Sequence, residues 1–316
     1  MPPQVSVVVS TFNRPQRLAA LLEGLRAQTF PRKRFEVIVV DNGSGPETAR
    51  VLEAELARGE LPLRTVRHER TLGPAGGRNS GWRLARAELV AFTDDDCVPS
   101  PEWLAAALKA AKANPHAIVQ GRTEPNPDEL PGARALTCRT VSITELSPQF
   151  ETCNILYPRA VLEELGGFDE AFGLWPAGED TDLAWRAIGR GTEAVFAPEA
   201  LVRHAVVRLG WIGALRDAAR WGASARMVAR EPGTRAILYG GVFWNVWHYL
   251  LVRSALSLVG PAWLRHLLVR RHVRALRRRA RAAGAGEWAI PYLLAYDAIE
   301  TVAMIRGAVR NRTLVL

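Results

Sequence analysis

Cysteine is scarce in this chain of 316 residues. Cys97, Cys138 and Cys153 are all there is, an odd number at wide spacing. They fit neither a disulfide framework nor paired zinc-ligand spacing, so a reducing compartment is the simplest reading. Glycine (26) and proline (20) are not enriched, which excludes collagen-like and low-complexity architectures. No basic stretch precedes the first apolar run, residues 5–10, and that run is too short for a secretory leader. The expected location is therefore the cytoplasm. Acidic residues are missing altogether from 232 to 286, a stretch that holds ten arginines. These ten exceed the net charge of +9, so the rest of the chain is close to neutral.

What is present points to a folded protein, because 48% of residues are hydrophobic and 23% charged. The length suits two domains. Six of the ten tryptophans also follow residue 210. The shift in composition divides the chain into residues 1–208 and 209–316.

Short apolar runs alternate with helical patterns through the first part. Strands are expected at 5–10, 35–40, 63–67, 89–93 and 117–121, with a further one at 193–196. Helices are expected from about Pro15, with Asn13 as cap and Leu18, Leu21, Leu22 and Leu25 on one face, and at 46–57, 101–113, 159–165 and 179–188. The segment LGPAGGRNSG reads as a glycine-rich loop opening a helix at 82–87, and 123–150 as an irregular loop beside the sheet, with 151–157 returning to it. Strand–helix alternation at this spacing implies an α/β fold, a mostly parallel, Rossmann-like sheet with helices on both faces.

Ligands of such sheets bind at the carboxyl ends of the strands. Ser10 and Thr11 follow the first strand, Asp41 the second, and Asp94, Asp95 and Asp96 the fourth. Three adjacent carboxylates repel unless a cation neutralises them, and Mg2+ or Mn2+ would do so. A solvated acidic turn is the other reading. Asp41 suits a turn, or an acceptor for a nucleobase or ribose. Arg78 suits a surface position, or a fork of donors for a phosphate. Glu179, Asp180 and Asp182 in GEDTDLAWR suit a helix N-terminus, or a general base at Asp180. His204 suits a structural role or a metal ligand.

VSVVVSTFNR, VVDNGS, GGRNSG, FTDDDCVP and GEDTDLAWR, in that order, resemble family-two glycosyltransferases with the GT-A fold, over about residues 4–205. The resemblance implies an inverting, metal-dependent enzyme that moves a sugar from a nucleotide-sugar to a hydroxyl. Ser10, Thr11, Asp41 and Arg78 would hold the nucleoside of a UDP-, dTDP- or GDP-sugar. Asp94, Asp96 and His204 would hold Mg2+ or Mn2+, with Asp95 facing ribose or metal. Asp180 would be the base, with an ordinary carboxylate pKa, and Glu179 would stand beside it. Trp175 and Asp182 would touch the acceptor, Trp175 having a core position as its alternative. A sugar-phosphate nucleotidyltransferase and a non-catalytic membrane adaptor are the rival readings.

The C-terminal part lies outside that match. Residues 236–252 form an apolar run of borderline length for a span. Residues 264–281 mix Leu and Val with Arg, as an interfacial helix drawn to an anionic membrane would. A helical membrane-associating region, peripheral to the inner face of the cell membrane and serving a glycan or lipid-linked acceptor, is expected. A true span, a soluble helical subdomain and a homo-oligomer interface are the other readings. Nucleic acid is disfavoured, since the segment is apolar as well as basic.

Overall fold

A computed structural model describes residues 2–131, 136–175 and 177–316. The chain forms two compact units: Met1–Leu130 with Thr140–Ala205, and Pro131–Arg139 with Val206–Leu316. In chain order the elements are β1 (Val5–Thr11), α1 (Pro15–Arg26), β2 (Phe35–Asp41), α2 (Pro46–Arg58), β3 (Leu63–Arg67), α3 (Gly73–Trp82), β4 (Leu89–Thr93), β5 (Cys97–Pro99), α4 (Trp103–Ala113) and β6 (Ile118–Pro125). They continue with β7 (Cys138–Arg139), β8 (Asn154–Pro158), α5 (Arg159–Leu165), α6 (Glu179–Ile188), β9 (Ala194–His204) and β10 (Val207–Arg208). The last helices are α7 (Gly210–Ala218), α8 (Ala225–Arg230), α9 (Val246–Leu256), α10 (Ala262–Ala282) and α11 (Ile290–Arg310).

The first unit is built on an eight-stranded sheet in the order β3-β2-β1-β4-β8-β6-β9-β5. Strands β1 to β4 run parallel, β6 runs parallel to β9, and β8 and β5 run antiparallel to their neighbours. Val5, Val7 and Val9 pack with Leu18, Leu21, Leu22 and Leu25 of α1 and Trp103 and Leu104 of α4. Val8 and Ile38 face the other way, into a second cluster with Trp82, Leu162 and Leu183. Helices thus cover both faces, and this is why β1 and β2 are apolar at successive positions.

Local chemistry departs from the expectation at three places. Asn13 does not cap α1. It sits at a φ of +54°, and its Oδ1 accepts a hydrogen bond from the Gly45 amide at 2.8 Å. The glycine-rich segment is not a loop but helix α3 itself, Gly73–Trp82. Glycine costs about 1 kcal/mol in a helix relative to alanine, yet here it permits close approach to the sheet. A Cβ on Gly77 would lie 2.1 Å from Ser10 Oγ, and one on Gly81 2.4 Å from Val8 Cγ1. Third, residues 123–150 are not wholly irregular: β6 runs on to Pro125, and Thr123 and Ile143 exchange backbone hydrogen bonds.

In the second unit the apolar run 236–252 is not one helix. Pro232–Ile237 is a 3-10 turn, and α9 begins only at Val246, because Asn245 Oδ1 accepts from the Trp247 and His248 amides. Among the described residues, Glu287–Arg310 is the helical stretch long and apolar enough to cross a membrane. It carries buried acids that are paired within the unit: Asp297 with Arg279 of α10 at 2.7 Å, and Glu300 with His248 of α9 at 3.0 Å.

Replacing Gly81 by Ala tests whether packing or helix propensity decides α3. Propensity alone would stabilise by about 1 kcal/mol. The clash with the fully buried Val8 should reverse the sign and destabilise by about 1–3 kcal/mol in urea melts.

Candidate active site

The parallel strands β1, β2 and β4 deliver Thr11, Asp41 and Asp94–Asp96 to one edge of the sheet. Thr11 and Asp41 are cross-strand neighbours. The antiparallel pairing of β5 with β9 sets His204 opposite Cys97, directly after the acidic trio. Two segments more than a hundred residues apart therefore meet because one strand ends where its neighbour begins.

Each carboxylate of the trio has a cationic partner. Arg14 Nη1 donates to Asp95 Oδ1 at 2.9 Å and to Asp96 Oδ2 at 2.8 Å, and Thr11 Oγ1 donates to Asp95 Oδ2 at 2.8 Å. Asp94 Oδ1 accepts from Arg78 Nη2 at 2.8 Å, while Arg78 Nη1 donates to Glu179 Oε1 at 2.9 Å. The buried Arg78 guanidinium thus joins the acidic trio to the start of α6. Glu179 Oε2 is held by the Ala177 amide at 2.9 Å.

Electrostatics follow from this packing. Burial alone would weaken the charge on both arginines, but the carboxylates against them outweigh it and raise both above the usual range. Burial also works against the ionised form of Asp94, yet Arg78 holds that carboxyl below its ordinary value. Burial pushes Asp95 up to about 6; Arg14 opposes the rise and Asp96 adds to it. Burial, and then the neighbouring Glu179, push Asp180 up to about 8, with Arg78 opposing. Asp180 is thus not the ordinary carboxylate expected from sequence.

His204 Nδ1 lies 2.8 Å from the Ala205 carbonyl oxygen, which can only accept. A proton on Nδ1 satisfies that oxygen, and Nε2 lies 3.6 Å from Asp96 Oδ1. Ligand atoms of Asp96, Cys97 and His204 all lie within 4.8 Å of one another. Asp94, its Oδ1 held by Arg78, is not in this cluster; a carboxylate oxygen suits Mg2+ or Mn2+, whereas the imidazole and thiol are softer donors.

Asp41 is buried; its Oδ1 accepts from the Ser44 amide at 2.8 Å. Its Oδ2 has the Arg67 Nε at 3.6 Å and no hydrogen-bond partner among the described residues. Ser10 lies at the same end of β1, its Oγ against Gly77. Trp175 is 73% exposed, so its core reading fails. Asp182 must be corrected as an acceptor contact. It is wholly buried and ion-paired at 2.8 Å with Arg186, whose guanidinium also donates to Leu165 and Gly167 carbonyls. Two neighbours of the site went unassigned from sequence, Arg14 and Cys97. A signal for Arg14 existed, since three adjacent acids demand cations and Arg14 stands at the same strand end.

Residues 6–165 match the model for Glycosyl transferase family 2, which is half of the chain. The chain belongs to this family. Among similar proteins, the pre-mycofactocin glycosyltransferase of Mycobacterium tuberculosis is 28% identical over 291 residues, covering 86% of this chain and 58% of that protein. The validoxylamine A glucosyltransferase of Streptomyces hygroscopicus subsp. jinggangensis is 32% identical over 232 residues, 62% of this chain and 54% of its own length. The chain thus spans little more than half of these two relatives. The solved mannosyltransferase PcManGT of Pyrobaculum calidifontis, in complex with GDP-Man and Mn2+, superposes with a TM-score of 0.67 at 22% identity, covering 99% of this chain and 88% of that one. That likeness is one of fold, and the fold is the GT-A arrangement of a mixed sheet and flanking helices expected from the family-two motifs.

The raised Asp180 carboxyl has a stability signature. In the folded protein it keeps its proton up to about pH 8, whereas in the unfolded chain it loses it near 3.8. Stability is therefore withdrawn as pH rises between those values. Asp180→Asn should gain in melting temperature relative to the parent across that range and level off above it. A pH-independent offset would contradict the shift.

Proposed function

We propose that this chain is an inverting, metal-dependent glycosyltransferase that moves a sugar from a nucleoside-diphosphate sugar to an acceptor hydroxyl. The observation that supports this most is the double bridge of Arg78, which ties Asp94 to Glu179, next to Asp180. Ser10, Thr11 and Asp41 hold the nucleoside, the unpartnered Asp41 Oδ2 being open to a donor of the base or ribose. Asp94, Asp96 and His204 hold Mn2+ or Mg2+, which when bound supplies positive charge to the diphosphate. Donor classes follow from the relatives: the Pyrobaculum protein binds GDP-Man, and TarS of Staphylococcus aureus binds UDP-GlcNAc.

Asp180 acts as general base. It takes the proton of the acceptor hydroxyl as that oxygen attacks the anomeric carbon on the face opposite the leaving group. One displacement inverts the configuration and needs no second nucleophilic carboxylate. A base near pKa 8 is a better proton acceptor than an ordinary Asp, at the cost of being mostly protonated at neutral pH. Glu179 and Arg78 position it, and the exposed Trp175 offers a ring face to the acceptor. Residues 1–208 form the nucleotide-sugar domain. Residues 209–316 form a basic helical part that meets an anionic membrane at the inner face of the cell membrane, which suits a glycan or lipid-linked acceptor.

Incubation with Mn2+ and UDP-, dTDP- or GDP-sugars should release nucleoside diphosphate. Release of pyrophosphate from a sugar phosphate and a nucleoside triphosphate would point instead to a nucleotidyltransferase. Asp180→Asn should lower kcat by about 10²–10⁴-fold with little change in donor KM. In the parent, kcat/KM for acceptor should climb with pH and flatten above about 8, as the base loses its proton. His204→Ala should raise the Mn2+ needed for half-maximal turnover at least about tenfold. Unchanged kcat in Asp180→Asn would sink the assignment of the base.

A further inference from the structure

Helix α9 ends at Leu256, a 3-10 turn covers Ser257–Val259, and α10 starts at Ala262 after Gly260 and Pro261. The turn is pinned from inside, where the buried Ser257 hydroxyl donates to the Ser254 carbonyl at 2.6 Å. Its outside is apolar. Leu256, Leu258, Val259, Trp263 and Leu267 are all exposed, Val259 to 91% and Trp263 to 69%. Single exposed apolar side chains are ordinary on a soluble protein, but five within residues 256–267 are not.

Past Trp263, α10 carries Arg265 inside the apolar stretch and Arg270, Arg271 and Arg274 beyond it, all exposed. None of these four has an ion-pair partner among the described residues, whereas Arg277 and Arg279 further along are paired with Glu287 and Asp297. No acid lies anywhere from 232 to 286 to balance them. At 1.5 Å per residue, Trp263 and Arg274 are about 16 Å apart along the helix. Leu256, Leu258 and Val259 therefore come first, and unneutralised guanidinium groups begin at Arg265, about 3 Å past Trp263, and continue along the helix.

We propose that residues 256–267 are an anchor that enters the surface of an anionic lipid bilayer, with Leu256, Leu258 and Val259 among the acyl chains and Trp263 at the headgroup boundary. The arginines behind it meet lipid phosphates. This rests on the membrane reading given above and assigns it a specific segment. It also separates the roles of two helices. The long apolar helix α11 keeps Asp297 and Glu300 buried against Arg279 and His248 while Val302, Ile305 and Val309 on it are exposed, and the anchor assigned here is the short turn before α10. Nucleic acid offers the arginines the same phosphate chemistry but gives the apolar tip nothing to bury it.

The test is flotation of the full chain with vesicles of phosphatidylglycerol and phosphatidylcholine, and with phosphatidylcholine alone. The parent should float with the anionic vesicles. The triple variant Leu258→Glu, Val259→Glu, Trp263→Glu changes only exposed side chains, so its melting temperature and acceptor-free donor turnover should match the parent. Its vesicle affinity should fall at least tenfold. A polarity-sensitive dye on Val259→Cys should shift to the blue on vesicle addition. A parent that ignores anionic vesicles overturns both the anchor and the membrane reading. A triple variant that binds as well as the parent overturns the anchor alone and leaves charge as the attachment. A vesicle-independent dimer in gel filtration that the triple variant abolishes would assign the tip to a second copy and overturn the proposal.

Discussion

Three carboxylates in a row at the end of a buried strand repel one another, and at short range in a partly dry setting that repulsion is worth several kcal/mol unless cations are supplied. The first unit supplies them from two directions. Arg14 comes from the start of α1 and bridges Asp95 and Asp96; Arg78 comes from the middle of α3 and takes Asp94. Much of the surrounding architecture can be understood as holding these two guanidinium groups in place. The same pairing leaves the trio unevenly charged, with Asp94 firmly ionised and Asp95 reluctant to ionise.

Arg78 can reach both acids only because α3 lies unusually close to the sheet. Glycine at 77 and 81 removes the side chains that would otherwise hold the helix off Ser10 and Val8. The helix is thus poor in propensity and rich in proximity, and its stability comes from tertiary packing rather than from its own turns. Placing Glu179 at the first turn of α6 then lets one arginine tie two helices and a strand end together.

Much of this was legible in the sequence. Leu63–Arg67, Leu89–Thr93, Arg159–Leu165 and Glu179–Ile188 fall where periodicity and the flanking Pro and Gly residues put them. The meeting of Asp96 with His204 was expected only through the resemblance to family-two glycosyltransferases, since the residues alone left His204 as either structural or a ligand. The failures have physical causes. Helix α3 was misread because glycine's intrinsic cost outweighs every local signal until the partner strand is known. The run 236–252 was misread because Asn245 looks like an interruption in hydropathy and acts as a cap. Asp182 was misplaced because helix spacing puts it beside Asp180 without saying which side faces Arg186. The pKa of Asp180 depends on burial and on Glu179, and neither residue type nor spacing reveals the depth at which a carboxylate sits.

The pairing of β5 with β9 carries an evolutionary implication. His204 and Cys97 are opposed by strand register, and side chains alternate sides at every residue of a strand. Gaining or losing one residue between Val202 and His204 would swing the imidazole to the far side of the sheet, while the same change at 198–201, where β9 already departs from regular pairing with β6, or in the turn preceding Ala194 would cost little. Homologous chains should therefore vary in length ahead of this strand and around its irregular step, and hardly at all in the last three residues before the imidazole, an asymmetry imposed by pleating rather than by any chemical demand of the histidine itself.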